Sequence, residues 1–265
     1  MGMLVRAAAA CYDGAKAYGT PFVSGKDSLN NQLRYKDPTT GEQRVIEIPP
    51  TLLITGMGTV RNVSRCVTMD AKTPGNVLLL VGTTDSEMGG SHYARLCSID
   101  PDCADVPAID LTVAPATARA VAQCIQDGLI AAAHDVSDGG MLAAVSEMLI
   151  ATSGAGSSTT SRDSSELGRL LSKETSRAAL GAELSADPGM LEDYQFAFGE
   201  CPGRYVLEVK PADVEKVRTV LNDHGAIHMS KIGRITSDSK LVWSRADVDI
   251  PVNDLARAWL GTLDW

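Results

Sequence analysis

The sequence predicts an α+β protein, mixed α/β layers in which helices pack against a mixed sheet. Three observations carry that prediction. The uninterrupted apolar run Val77–Val81 is bounded by Gly75 and Gly82, as a strand buried on both faces would be. Helical spacing appears on either side of a second apolar run, at Ala118, Val121, Ala122 and Ile125 and again at Met141, Val145, Met148 and Leu149. The order that results for the larger part of the chain is β-α-β-α-β-α-β-β, which calls for helices layered on a sheet of mixed direction.

Taken in order, residues 3–18 form a predicted helix, because Leu4, Val5, Ala8, Ala9, Tyr12 and Ala15 recur at three and four positions. Gly19 stops it and Pro21 bars continuation. Pro21–Ser24 is strand-like, and the turn cluster from Lys36 to Glu42 places a hairpin near 31–48. Thr51–Val60 is a further predicted strand, with Gly56 and Gly58 implying close packing. A second unit is expected to start near Asp70, so the domains read 1–69 and 70–265. Within it, Pro115 opens a helix closed by Gly128, Leu129–Ala133 is a strand ending at His134, and Gly140–Ala151 is a helix. Tyr205–Val209 is a strand, a helix runs from Pro211 to Gly225, and strands follow near 227–235 and 240–244. The Ser/Thr-rich stretch 153–176 has few apolar anchors and reads as a mobile insertion, with Leu167, Leu170 and Leu171 suited to a short helix inside it.

With 265 residues, 44% of them hydrophobic and 22% charged, the chain can bury the cores of two modest domains. A net charge of −9 argues against a general nucleic-acid surface, yet leaves room for a nucleotide held by local N–H groups and one lysine. Three Trp, three Phe and six Tyr are too few for a single-strand stacking platform. Cys11, Cys66, Cys97, Cys103, Cys124 and Cys201 contain no Cys-x-x-Cys pair and read as reduced thiols. His224 and His228 have helical spacing, but Gly225 between them points to a helix end rather than a metal face. Arg6 interrupts the amino-terminal apolar stretch, and no run reaches membrane-spanning length, so a cytoplasmic location is expected.

Two polar motifs carry the chemistry. In Gly19–Asn31, Gly25 lets backbone N–H groups approach an anion, Lys26 adds a point charge, Asp27 a carboxylate and Ser28 a hydroxyl. Such a loop grips phosphate and a metal, though the same residue types also build ordinary turns. The second motif, His134–Gly140, joins the end of an apolar strand to a helix start, a position suited to ligands. Asp138 or Ser137 suits the helix cap, while Asp135 is the candidate metal ligand, since a cap needs no second carboxylate three residues earlier. His134 either packs under the strand end or acts as a base, a role requiring a partner that the sequence does not display. Gly89–His92, following Asp85, is a second phosphate-facing turn or a plain loop. Around Gly199–Gly203, Glu200 and Arg204 either face a ligand or face one another across a turn.

Together, Gly-Thr-Pro-Phe-Val-Ser-Gly-Lys-Asp-Ser-Leu-Asn-Asn (19–31), Ala-His-Asp-Val-Ser-Asp-Gly-Gly (133–140) and Phe-Gly-Glu-Cys-Pro-Gly-Arg (198–204) resemble the synthetase subunit of phosphoribosylformylglycinamidine synthase. That family belongs to the aminoimidazole ribonucleotide synthetase-like superfamily. Its synthetase subunit resembles two fused copies of a two-domain unit, and this chain resembles the carboxy-terminal portion. The resemblance implies a partial first domain, the rear of an ATP-binding domain, followed by a complete carboxy-terminal domain. It implies an ATP-dependent carbon–nitrogen ligase, with ATP and Mg²⁺ as cofactors and formylglycinamide ribonucleotide as substrate. The implied partners are a glutaminase subunit, a small bridging subunit and an amino-terminal half of the same polypeptide that holds the catalytic histidine. By position, Gly25 and Lys26 correspond to the ATP site and Ser28 to the substrate site. Many members carry a magnesium-ligating asparagine where Lys26 stands; a protonated lysine cannot ligate Mg²⁺, so Asp27 becomes the metal candidate. Asp135 corresponds to a metal-binding aspartate of the first copy, and in this copy either binds metal or serves a structural nucleotide site. Glu200-Cys201-Pro202 departs from the Glu-Ser-Gln of the first copy. Other readings are a paralogous kinase or synthetase, or a non-catalytic nucleotide-binding or assembly module. The ending Leu263-Asp264-Trp265 counts against the hydrogenase-maturation paralogue, which ends in a reactive cysteine.

Overall fold

Turn chemistry at Asp37 closes the hairpin expected near 31–48. The Asp37 carboxylate accepts from the amides of Thr39 (2.9 Å) and Thr40 (3.2 Å) and pairs with Arg44 at 3.0 Å. It joins β1 (Gln32–Lys36) to β2 (Gln43–Glu47), antiparallel from Gln32↔Glu47 to Lys36↔Gln43. The computed structural model describes residues 2–26, 30–100, 104–152 and 179–261, and the chain divides into two compact units, Met1–Arg61 and Asn62–Trp265. Among the described residues, the hairpin and α1 (Gly2–Tyr18) make up the regular structure of the smaller unit. Pro21–Ser24 and Thr51–Val60 form no strands, contrary to their apolar patterning. A strand exists only where a neighbour completes its ladder. Among the described residues none does so for 51–60, and Leu53 and Met57 are almost fully exposed.

The larger unit is organised by β3 (Val77–Val81), whose five residues are all buried. Among the described residues it is the third strand of a seven-stranded sheet with β4 (Ile130–Asp135), β5 (Gly181–Leu184), β6 (Tyr205–Val209), β7 (Met229–Thr236), β8 (Lys240–Trp243) and β9 (Val248–Pro251), in the order β4-β6-β3-β7-β5-β8-β9. The strand pairs are antiparallel except β5 with β8. Alternation along β3 divides the interior. Leu78 and Leu80 enter one core with Met141, Val145, Met148 and Leu149 of α4 (Gly140–Thr152). Val77, Leu79 and Val81 enter the other, with Ala120, Val121 and Cys124 of α3 (Val113–Gln126) and Val217 and Leu221 of a later helix, Val214–Asp223. A strand covered by helices on both faces needs apolar residues at every position, whichever way its neighbours run.

Among the described residues the remaining α-helices are α2 (His92–Leu96), α5 (Asp193–Phe198), α6 (Val214–Asp223) and α7 (Val252–Gly261). Residues 153–178, which include the Ser/Thr-rich stretch and its short predicted helix, lie outside the described residues. Sequence patterning does not reveal β5, α5, β9 or α7. Each of the two strands is four residues long and α5 only six, too short to establish a period.

One buried carboxylate secures the start of β3. Glu208 of β6 is fully enclosed; Oε2 accepts from the Lys72 amide at 2.7 Å, and Oε1 from the Thr73 amide at 3.0 Å and Asn76 Nδ2 at 2.6 Å. Three donors replace its lost hydration. No described helix is long and apolar enough to cross a membrane. Burial raises the Cys124 thiol to about 11, with Asp127 adding to the effect. Iodoacetamide at pH 8 should therefore label exposed Cys66 and Cys97 and spare Cys124 until denaturant is added. Peptide mass mapping checks this; native labelling of Cys124 at the rate of Cys66 would contradict the packing of α3.

Candidate functional site

Strand register brings three loops to one end of the sheet. Tyr205 pairs with Val81 on one side and Asp135 on the other, so the ends of β3 and β4 flank the start of β6. The loops are 82–91 after β3, 136–139 before α4 and 199–204 before β6. Arg204, only 1% exposed, ties them together. Its Nε donates to the Cys201 carbonyl at 3.1 Å, Nη1 to Thr84 Oγ1 at 2.8 Å, and Nη2 to the Gly199 carbonyl. Its own carbonyl accepts from the Val136 amide at 2.9 Å. Burial lowers the Arg204 pKa, and nearby Cys201 and Asp85 oppose that effect. Gly82 makes room for this side chain: its φ is +98°, and a Cβ there would stand 2.9 Å from Arg204 Cγ.

Glu200 is the second tie. Its Oε1 accepts from the amides of Gly139 at 2.8 Å and His92 at 2.9 Å, and lies 3.2 Å from His92 Nδ1. The cap expected from Asp138 or Ser137 is thus shared differently. The loop amide ahead of α4 goes to a carboxylate 61 residues away, while Ser137 contributes its carbonyl to Gly140 N–H at 3.1 Å. Gly140 is required by a close approach: its φ is +73°, and a Cβ would meet the Ala197 and Phe198 backbone at 2.7 Å. Glu200 therefore does not pair with Arg204, and both serve loop convergence. Ser91 is consumed structurally, accepting from the Ala94 amide at 3.1 Å and donating to the Met88 carbonyl at 2.6 Å. The Gly89–His92 turn thus uses its serine to start α2.

His134 has the partner that the sequence did not display. Its Nε2 lies 2.8 Å from Glu147 Oε2 on α4, and its Nδ1 lies 2.7 Å from the Asp135 carbonyl. Both ring nitrogens face acceptors and the ring is largely enclosed, so packing under the strand end describes it best. Asp135 stands at the exposed tip of β4. Its Oδ2 accepts from Ser137 Oγ at 2.5 Å, and Oδ1 lies 3.4 Å from His134 Nδ1. The Ser137 hydroxyl is the main reason its carboxyl is held below the ordinary 3.8; burial opposes this, and the Asp135 backbone and His134 add smaller lowering effects. A single exposed carboxylate of this kind suits a hard cation completed by water and phosphate oxygens.

The first motif belongs to the smaller unit. Lys26 lines a cleft of about 860 Å³ with Arg6, Asn31, Gln32, Glu47 and Leu53. A Cβ on Gly25 would meet nothing within 4 Å, and its φ is not left-handed, so packing inside this chain does not demand glycine there. Asp27 and Ser28 lie outside the described residues.

A family model described as AIR synthase related protein, C-terminal domain, matches residues 73–244. The chain belongs to that family. The match covers β3 through β8 and all three converging loops. Among curated relatives, phosphoribosylformylglycinamidine synthase subunit PurL of Pelagibacter ubique is 28% identical over 243 residues, covering 91% of this chain and 28% of that protein. The PurL subunit of Rhodopseudomonas palustris is 32% identical over 226 residues, covering 85% of this chain and 26% of that protein. The chain therefore spans 26–28% of the length of these relatives. Thermotoga maritima PurL complexed with FGAR shares the fold at TM-score 0.55 and 19% identity, over 92% of this chain and 36% of that one. Thermotoga maritima phosphoribosylformylglycinamidine synthase II does so at TM-score 0.54 and 17% identity, over 92% and 34%. The α+β, AIR synthetase-like fold expected from the sequence is the fold observed.

Two outcomes follow from this geometry. Arg204→Met should destabilise the larger unit by about 1–3 kcal/mol or more, because it leaves the Cys201 and Gly199 carbonyls and the Thr84 hydroxyl without their donor, and Arg204→Lys should not restore it. All three tryptophans lie in that unit, so their fluorescence in urea reads its unfolding. Ser137→Ala should move the Asp135 carboxyl back up towards its ordinary value, as followed by NMR titration. The stability linked to that depressed carboxyl exists above its unfolded pKa and is lost as pH falls through the folded value; the variant should show less of this acid-side loss.

Proposed function

We propose that this chain is part of the synthetase subunit of phosphoribosylformylglycinamidine synthase, a cytoplasmic ATP-dependent carbon–nitrogen ligase of purine biosynthesis. In the proposed reaction, ATP activates the amide oxygen of formylglycinamide ribonucleotide and ammonia displaces the phosphate, giving formylglycinamidine ribonucleotide. The observation that carries this reading is the family match over residues 73–244 together with PurL relatives that cover 85% or more of the chain. We assign 1–69 to the rear of an ATP-binding domain and 70–265 to the carboxy-terminal domain.

Gly25 and Lys26 are the proposed ATP contacts, Ser28 the substrate contact, and Asp27 and Asp135 the proposed Mg²⁺ ligands. Magnesium would offset charge on the transferring phosphoryl group, while N–H donors and the Lys26 ammonium position it. The proposed partners are a glutaminase that supplies ammonia, a small bridging subunit and the remaining part of the polypeptide. Support for such an assembly is that a Thermotoga maritima PurLQS structure shares the fold at TM-score 0.53 and 17% identity. A second reading, a non-catalytic nucleotide-binding or assembly module, is favoured by one observation: both Asp135 oxygens already face partners within the chain.

Thermal unfolding with Mg-ATP separates a competent nucleotide site, catalytic or not, from an assembly module. A competent site at 100-fold excess over Kd adds about 2.7 kcal/mol. Gly25→Ala should keep the unliganded melting temperature, because the added methyl meets nothing, yet abolish the nucleotide shift. Absence of any shift in the wild-type chain would favour the assembly reading. Turnover of formylglycinamide ribonucleotide by this chain alone would overturn the assignment of the catalytic histidine to another part of the polypeptide.

A further inference from the structure

We propose that Glu147 is a positioning residue for the divalent cation assigned to Asp135, and that it acts through His134. The inference rests on the proposed reading of Asp135 as a magnesium ligand and adds a residue from a different element. Three links connect that element to the carboxylate. Glu147 Oε2, on α4, lies 2.8 Å from His134 Nε2, on β4. His134 Nδ1 lies 2.7 Å from the Asp135 carbonyl and 3.4 Å from Asp135 Oδ1. The Ser137 hydroxyl holds the other oxygen, Oδ2, from the loop that follows.

Adjacency in sequence does not by itself produce the contact between His134 and Asp135. Neighbouring residues of a strand send their side chains to opposite faces, so the ring meets the next residue's carbonyl in one orientation only. Rotation about χ2 of a histidine is soft, and a half-turn would put a ring carbon where Nδ1 now meets that carbonyl. Glu147 selects the orientation, because the same half-turn takes Nε2 away from Oε2. The His134 side chain is 13% exposed, so water does not freely replace a lost acceptor.

Glu147 is itself anchored. Val145, Met148 and Leu149 beside it on α4 are each 1% exposed or less, and Gly140 at the helix start packs against the Ala197–Phe198 backbone. Orientation therefore passes from the core, through an imidazole, to the exposed tip of β4. Outer partners of this kind orient a ligating carboxylate, and their loss costs roughly 10–100-fold in metal affinity. The partners that Asp135 already has leave room for a cation, since each carboxylate oxygen carries two lone pairs.

Manganese(II) is the probe for the magnesium site, titrated into the full chain at constant pH and followed by the electron paramagnetic resonance of the free ion. The expected result is an ion lost in Asp135→Asn, held roughly tenfold more weakly in Glu147→Ala, and held as in the wild type in Glu147→Gln, whose amide oxygen still accepts from the ring. Glu147→Ala combined with His134→Phe should bind no more weakly than either alone, because the two act in series. Tryptophan fluorescence in urea establishes that each variant is folded. Without added metal, the His134 ring N–H resonances should be sheltered from exchange in the wild type and Glu147→Gln, and lost in Glu147→Ala. Wild-type affinity in Glu147→Ala, equal weakening in Glu147→Gln, or ring N–H resonances that persist in Glu147→Ala overturns the proposal and leaves the magnesium reading intact. If Glu147→Ala does not fold, His134→Phe carries the same comparison, and wild-type affinity there overturns the proposal. A wild-type chain that holds no ion, or an ion that survives Asp135→Asn, overturns the magnesium reading and this role with it.

Discussion

The enclosed guanidinium of Arg204 is the interaction on which the functional end of the molecule depends. A charge removed from water must be met by oriented dipoles or opposite charge. Here two carbonyls and a threonine hydroxyl meet it, and they come from two separate loops. Because arginine keeps its proton under ordinary conditions, the demand for those acceptors is permanent. The loops are therefore held together by the cost of separating them. Glu200 completes the arrangement from the same segment, drawing in the amides that precede α4 and α2.

A matching constraint operates at the other end of β6. Arg204 immediately precedes that strand, and Glu208 lies near its far end, fully enclosed and satisfied by the turn that leads into β3. One short strand thus carries a buried cation at one extremity and a buried anion at the other. Between them Val206 and Leu207 enter the two cores on opposite faces. The apolar layers supply most of the driving force for folding, while the two charges select which turns close over the sheet ends. That division of labour leaves the loops between β3 and β6 free to carry chemistry, since their backbone is secured by groups behind them.

Long periodic elements are legible in the order of residues. The helix 3–18, the hairpin, the run 77–81 and the helix from Gly140 all stand where the pattern puts them, because helical spacing, turn chemistry and an unbroken apolar run are each complete within one segment. The apolar stretch 51–60 misleads for a physical reason: its composition suits a strand, but a strand is a property of pairs, and no described neighbour pairs with it. At the candidate site, Asp135 is recognisable as a carboxylate at a strand tip. Glu147 and Thr84 are not, since each acquires its role from a residue 13 or more positions away.

The chain's order of residues alone determined its family resemblance, its α+β class and the locations of its polar loops. These follow from local patterning and from motifs whose spacing survives without a fold. Tertiary structure alone decided which loops meet, that Glu200 serves amides rather than Arg204, and that His134 rests against Glu147. Those outcomes depend on strand register, which places Asp135 and Val81 on either side of Tyr205. Register arises from packing both faces of the sheet at once, a global condition that no short segment contains.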